Sequence, residues 1–563
     1  MSDNSTTVGS YLASRLEEIG MKHYFAVPGD YNLVLLDKLL ENKNLEMISC
    51  CNELNAGYAA DGYCRATGGA SAVFVTFSVG GLSLLNAVAG AYAEDLPLIA
   101  VSGGPNTNSE AEFEMLHHTL GLLDYDYQRD IFSKVTAEAV TIHDPREAPT
   151  QIDHAIQTAL RFRKPVYIEI ACNIADAVTS APNVRSFGGP TASDPLSLNA
   201  AVDRAVELLS AASKPVLVAG VKLRSFGAEA NFQKLADACG YAIASMPNAK
   251  GFFNEQHSHY MGIYWGPVGT PGCGEIVDSS DLCLFAGGTF TDYTTTGHAA
   301  LINPSKVIQA RPNSVVFPNQ TFSNVKLTEF LEMLAKKLKP NDGSMIAYNR
   351  IKEEIAPLRP GTPETELSTR QLFSRIQQML GPDSAVIAET GDSWFNGMQL
   401  DLPEGARFEV QMQYGSIGWS VGATLGFCVG APDRRPIALI GDGSFQLTAQ
   451  EVSTIIRYGL KPIIFLINNG GYTIEVEIHD GPYNTIKNWN YAELVHVFNA
   501  EDGNGFSCKA RTEGELDEAI KQATAHDGPA LIDVLIHRDD CSKNLLVWGG
   551  HVAKNNGRPP RFH

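Results

Sequence analysis

Short, wholly apolar segments alternate with helical stretches along almost the whole chain. This rhythm narrows the fold more than any other feature. HYFAV (23–27), SAVFVTF (71–77), PLIAVSG (97–103) and PVYIEI (165–170) are β-branched or aromatic runs bounded by Gly, Pro or Asp. Strands apolar on both faces belong in a parallel sheet covered by helices on each side. The helices supply their own period: Tyr11, Leu12, Leu16 and Ile19 recur at three- and four-residue steps. A second series begins at KPVLVAG (214–220) and includes DLCLFAGG (281–288) and KVIQARP (306–312). A third holds SAVIAETGD (384–392), PIALIGDGS (436–444), KPIIFLINN (461–469) and PALIDVLI (529–536).

Two aperiodic stretches separate the series. Pro, Gly and Ser crowd at 181–197, and KPNDGS and LRPGTPETELS lie within 340–368. The expectation is an α/β protein of three domains, each a parallel sheet flanked by helices, at 1–182, 195–340 and 366–563. A chain of 563 residues is long enough for three such cores. Residues 56–104 and 418–469 share an order of small-residue helix, strand, Gly-containing turn, helix and strand. They read as diverged copies, although any two parallel α/β layers resemble each other at this level. The turns differ: TFSVGG in the first copy, IGDGSF in the third.

Charge and composition exclude several functions. Forty-three Lys and Arg against 63 Asp and Glu leave a net charge of −20. Such a surface repels nucleic acid and anionic membranes. No apolar run reaches the ~18 residues of a membrane span, so none is expected. The polar, then amphipathic start lacks the pattern of a secretion signal. Ten cysteines without CxxC spacing argue against disulfide or zinc scaffolds. A cytoplasmic enzyme is the expectation. No GxGxxG follows a strand and opens a helix, which weighs against a nucleotide-dependent oxidoreductase.

GDGSF (441–445) lies between an apolar strand and a helix-forming stretch, FQLTAQEVSTIIRYG. Backbone N–H groups and a helix dipole there favour an anion, and glycine lets the backbone approach it closely. Twenty-four residues separate Gly443 from Asn468, where the next strand ends in Asn468–Asn469 followed by Gly470–Gly471. Ligands of open parallel sheets gather at the carboxyl ends of strands. Asp442, the Asn469 side chain and a nearby backbone carbonyl would form half of an octahedral magnesium site, completed by diphosphate oxygens and water.

This spacing resembles the diphosphate motif of thiamin-diphosphate enzymes, and the resemblance extends along essentially the whole chain. VPGDYNLVLLD (27–37), CNELNAGYAADGYCR (51–65), LHHTLG (116–121), AETGDSWFNGMQL (388–400), QYGSIGWSVGA (413–423) and NNGGYTIEVEIHDGPYN (468–484) occur in the order of the pyruvate decarboxylase family. The resemblance implies pyrimidine-binding, central and diphosphate-binding domains in that order. It implies conversion of pyruvate to acetaldehyde and CO2 through a thiamin diphosphate ylid and enamine, with Mg2+. Decarboxylation of a larger 2-keto acid, such as indolepyruvate or benzoylformate, and acetolactate-type carboligation remain alternatives.

The residue roles follow from the resemblance. Glu53 faces the pyrimidine N1′ and favours the imino tautomer. Asp30 and His118 transfer protons, with His117 in support. Read alone, adjacent histidines are an ordinary surface pair. Glu475 sits beside the substrate carboxylate, in an undecided protonation state; Glu477 reads as a solvated acid. Ile417 wedges the cofactor into a V shape, and the Gly415 carbonyl accepts from its 4′-amino group. Thr390, Ser416, Gly443 and Ser444 contact the cofactor, and Gly471 joins Asp442 and Asn469 as a metal ligand. Tyr293, Trp394, Ile474 and Ile478 line the substrate pocket, with ordinary core as their alternative role. A cysteine linked to substrate activation in some members is absent where Val221–Lys222 stands. The family's site lies between subunits, which implies a homodimer or homotetramer.

Overall fold

A computed structural model describes residues 5–183, 187, 191–352, 358 and 361–561. The first sheet has six parallel strands in the spatial order Glu46–Ser49, His23–Ala26, Ser71–Val75, Leu98–Gly104, Val166–Ala171, Ala139–Ile142. The last sheet repeats the layout with Arg407–Val410, Ser384–Ala388, Arg435–Gly441, Ile463–Asn468, Ala530–Leu535 and Phe506–Ala510. The connectivity is the same strand for strand. The aligned blocks 56–104 and 418–469 therefore occupy matching places, and the turn 76–81 is the counterpart of 441–445.

The central sheet has seven strands, and its order runs from Tyr260–Ile263 at one edge to Gln320–Ser323 at the other. Its last two strands, Ser314–Phe317 and Gln320–Ser323, are antiparallel. This departs from the wholly parallel sheet expected here. A tight Pro318–Asn319 connection needs no crossover helix, so the sheet edge turns back on itself. The aperiodic stretches also contain structure. Helix Pro195–Ala211, capped by Asp194, starts inside the first of them. Residues 184–186 and 188–190 of that stretch, and 353–357 and 359–360 of the second, lie outside the described residues. Helix Gly343–Asn349 packs on the central sheet, where Ser344 donates to the Pro215 carbonyl at 2.6 Å and Tyr348 to the Met261 carbonyl at 3.1 Å. Among the described residues no helix is long and apolar enough to cross a membrane.

The first and third sheets share one apolar core. Its centre is the contact between helices Glu53–Thr67 and Trp419–Gly430. The second of these is buried on nearly every face, so it can only be an interior helix. Small residues let the backbones touch. A Cβ on Gly62 would stand 2.1 Å from the Ala423 carbonyl oxygen, and one on Gly426 1.7 Å from that of Ala59. Arg65 closes one end: it is buried, pairs with Asp61 at 2.6 Å and lies over Trp419. A buried charge is tolerable only with such partners.

Gly426→Ala should therefore cost ~3 kcal/mol or more, because the obstructing atom is backbone and cannot swing aside. Urea unfolding of the variant checks this; an unchanged midpoint would contradict the close approach.

Candidate active site

The strand order of the third sheet reverses between Ser384–Ala388 and Arg435–Gly441. Two connections leave in opposite directions there and open a crevice at the carboxyl ends. Residues from both strand ends and from 467–475 line a cleft of about 830 Å³, part of it open to solvent.

Asp442 opens helix Asp442–Thr448 and is fully buried at the base of the cleft. Its oxygens accept from the N–H of Gly443 at 2.8 Å and of Gly470 at 2.6 Å. Burial nevertheless pushes the carboxyl up to about 6, with those N–H groups opposing the rise. Asn469 donates through Nδ2 to Thr473 Oγ1 at 2.6 Å, and its buried Oδ1 has no hydrogen-bond partner. Gly471 lines the cleft beside them. An under-compensated carboxylate next to an unspent amide oxygen is a donor set that fits a hard divalent cation. Gly443 and Ser444 line the wall, and a Cβ on Gly443 would enter the Tyr472 ring at 2.4 Å. That leaves bare backbone facing the cleft, which fits a diphosphate.

Thr390 and Ile417 line the opposite side. Ile417 is carried between Gly415 and Gly418, whose positive φ values of 66° and 85° favour glycine. Glu389 holds this loop in shape. It is fully buried, and burial raises its carboxyl. It accepts from Thr390 N–H at 2.8 Å, Gly418 N–H and Ser420 N–H at 3.1 Å each, and the Ser420 hydroxyl at 2.6 Å. Sequence reasoning missed Glu389: apart from the adjacent Thr390 its donors lie 29 and 31 residues away, and only its place at the end of an apolar strand hinted at a role. Ser416 lies between Gly415 and Ile417 in this loop. Its hydroxyl lies 2.6 Å from Tyr58 and 3.0 Å from Asn86, so the side chain is engaged by the first sheet's helices.

Tyr293, Trp394, Ile474 and Ile478 belong to one apolar cluster. The Tyr293 and Trp394 rings meet edge to face at 5.9 Å, and a Cβ on Gly415 would touch both. Burial, and then the nearby Glu475 charge, push the Tyr293 hydroxyl up. Trp265 donates to the Tyr293 carbonyl at 2.7 Å, and Trp548 packs on its ring at 5.0 Å. Trp548 comes from helix Lys543–Asn556, which lies on helix Thr473–Ile478 and which the sequence did not connect with the site. Glu475 lines the cleft and is exposed. Glu477 is partly buried, with its carboxyl raised by burial, and lies 3.9 Å from the Cys541 sulfur. The expectation of a solvated Glu477 is therefore corrected: the C-terminal helix covers it, and a Cβ on Gly549 would come within 2.7 Å of its carbonyl oxygen.

The remaining expected residues sit on the first sheet. His117 Nε2 is 2.6 Å from Asp30 Oδ2, and His118 Nε2 is 3.9 Å from Asp30 Oδ1. Tyr31 stacks on His117 at 5.0 Å. Glu53 opens its helix, which Asn52 caps by accepting from Asn55 N–H at 2.8 Å. The structure thus gathers Asp30 with the adjacent His117 and His118, 87 residues or more further along the sequence. It does not bring them or Glu53 into the cleft, since every lining residue falls at Thr369 or beyond.

A two-layer repeat with a cation-fitted cleft at its switch point defines a class. Models of the thiamine pyrophosphate enzyme N-terminal TPP binding domain, central domain and C-terminal TPP binding domain match residues 6–127, 202–338 and 390–534. Among curated proteins, pyruvate decarboxylase 3 of Arabidopsis thaliana is 51% identical across 100% of this chain and 95% of its own length. Pyruvate decarboxylase 2 of Arabidopsis thaliana is 52% identical over 98% of this chain and 92% of its own, and pyruvate decarboxylase 1 of Oryza sativa subsp. indica 51% over 98% and 92%. The chain belongs to the pyruvate decarboxylase family of thiamine pyrophosphate enzymes.

Glu389→Ala strips the acceptor from four donors around Ile417. It should cost roughly 3 kcal/mol or more and weaken thiamin diphosphate binding at least about tenfold. Urea unfolding and calorimetric titration check the two effects; wild-type values in both would remove Glu389 from this role.

Proposed function

We propose that this chain catalyses the non-oxidative decarboxylation of pyruvate to acetaldehyde and CO2, using thiamin diphosphate and Mg2+. One observation carries the reading. Tyr293, Trp394, Ile474 and Ile478 share one apolar cluster, and Ile474 carries it to the wall of the cleft beside Glu475, where the buried Asp442 and Asn469 oxygens fit a hard cation. The names of the relatives support the substrate, and the three domain matches support the cofactor. In this reading 1–182 is the pyrimidine-binding domain, 195–340 the central domain and 366–563 the diphosphate-binding domain.

Asp442, Asn469 and the Gly471 carbonyl would hold Mg2+, and Gly443 and Ser444 the diphosphate. Thiamin diphosphate supplies the acidic carbon that adds to the keto group and takes up the electrons released with CO2. Glu53 would hold a proton at the pyrimidine N1′. Ile417 would press between the two rings, with the Gly415 carbonyl and Thr390 orienting the pyrimidine. Glu475 would face the substrate carboxylate; if ionised, it would favour loss of that charge as CO2. Asp30 and His118 would deliver a proton to the carbon left behind and remove one from the product hydroxyl, steadied by His117.

The arrangement supports a homodimer or homotetramer with shared sites. Asp30, His117 and His118 are offset from the cleft within one chain. The segment bearing the histidines exposes Phe113, Met115, Leu120, Leu122 and Leu123, more apolar surface than water favours. All ten cysteines are free, which supports a reducing, cytoplasmic compartment.

Two experiments test the reading. Glu53→Gln and Asp442→Ala chains should each be inactive alone. Co-expressed, they should recover up to about a quarter of wild-type turnover, because half the sites of each mixed dimer draw both residues from intact copies. No recovery would place both residues in one chain's site. Separately, Ile474→Ala should raise kcat/KM for benzoylformate relative to pyruvate by about tenfold or more, since the lost β-branched side chain leaves room for a ring. A wild type that prefers the aromatic acid, or an unchanged ratio in the variant, would refute the pyruvate assignment.

A further inference from the structure

In the third sheet the strand-to-helix turn carries Asp442. Its counterpart in the first sheet, Thr76–Gly81, has no acid, yet its backbone is held in an uncommon shape: Ser78 has φ +57°. Positive φ in a non-glycine residue persists only where the surroundings enforce it. The enforcing group is Gln128, fully buried at the start of the short helix Tyr127–Phe132. Its Oε1 accepts the Ser78 N–H at 2.5 Å. Its Nε2 faces Ser102 Oγ and Glu169 Oε2, each at 3.1 Å, and donates to the Tyr167 hydroxyl. The Tyr167 hydroxyl in turn donates to Glu169 at 2.5 Å. The fit is tight, because a Cβ on Gly81 would stand 2.3 Å from Gln128 Oε1.

This anchored turn touches both groups of first-sheet residues assigned above. On one side it backs Glu53, where a Cβ on Gly80 would lie 3.2 Å from Glu53 Oε1. On the other, the Tyr127 hydroxyl hydrogen-bonds Ser78 Oγ and donates to the His118 carbonyl at 3.0 Å. Phe77 packs edge to face on Tyr127 at 5.9 Å and on Tyr31 at 5.8 Å, and Tyr31 stacks on His117. The His118 backbone is itself in the left-handed region, at φ +63°. Two strained residues, Ser78 and His118, are thus tied through one tyrosine to one buried amide.

We propose that Gln128 is a positioning residue. By clamping the Ser78 turn to Tyr127 and the Glu169 network, it fixes the Glu53 carboxylate and the His117–His118 segment relative to each other. The proposal rests on the roles assigned above to Glu53 and His118. It goes beyond them by naming the element that holds the two in register.

The test uses the full-length apoprotein first. Gln128→Met keeps the volume and removes every hydrogen bond that the Gln128 side chain makes. Amide hydrogen exchange followed by mass spectrometry should quicken by about tenfold or more in both segments 76–81 and 116–119, while the third sheet keeps its wild-type rates. Tyr127→Phe removes only the link to Ser78 and His118, and should quicken 116–119 alone. Loaded with thiamin diphosphate and Mg2+, Gln128→Met should lose about tenfold or more in kcat with KM within about twofold, because positioning for the reaction and not substrate affinity is impaired. Gln128→Asn should recover part of that loss. Wild-type exchange in either segment of folded Gln128→Met would overturn the proposal. So would quickened exchange with unchanged kcat, provided Glu53→Gln and His118→Ala are themselves impaired. If Gln128→Met fails to fold, Tyr127→Phe decides: unchanged exchange at 116–119 overturns the link, and quickened exchange supports it. Glu53→Gln and His118→Ala with wild-type turnover would count against the roles assigned to those residues, a failure separable from that of the clamp.

Discussion

Everything else in the molecule hangs on the contact of helix Glu53–Thr67 with helix Trp419–Gly430. Glycine at 62, 422 and 426 brings two backbones together where any side chain would collide. That approach merges two sheets into one core, and it sets the orientation of every strand end that carries chemistry. The first helix begins at Glu53, and the second follows directly on the Ile417 loop. Close packing at the shared face therefore controls the alignment of groups at its ends, since interiors transmit displacement with little give.

The two sheets solve the same local problem with different chemistry. Each must hold a strand-to-helix turn at its switch point. In the third sheet, Asp442 ties its own turn to Gly470, and burial leaves its charge wanting a cation. In the first, the acid is missing and Gln128 reaches in from a later helix to take the Ser78 N–H. A neutral amide can be fully satisfied inside protein, whereas a lone buried carboxylate cannot. One turn is left suited to a metal and the other only to support.

Much of the fold was legible in the sequence because its signals are local. Apolar runs such as SAVFVTF and PIALIGDGS mark buried parallel strands wherever they occur, and the breaks between series follow from Pro, Gly and Ser. The antiparallel hairpin at Ser314–Ser323 escaped notice because its outer strand is exposed and weakly patterned. Helix Gly343–Asn349 escaped because it is only about two amphipathic turns long in a polar setting. The GDG and NN motifs exposed the candidate cation site, since spacing along adjacent strands translates directly into nearness at their ends.

What the sequence determined by itself was the α/β architecture, its internal duplication, the family and the identity of the chemically capable residues, because each is written in residue type and spacing. Only the tertiary structure decided which of those residues meet. Asp30 finds His117 across 87 positions, Glu389 finds the Ile417 loop, and Trp548 closes over Tyr293. It also decided that Glu477 is covered, that Ser416 turns toward Tyr58, and that the first-sheet acids and histidines stand outside the cleft of their own chain. Such pairings depend on packing between elements far apart in sequence, and no local pattern encodes the distance between two helices.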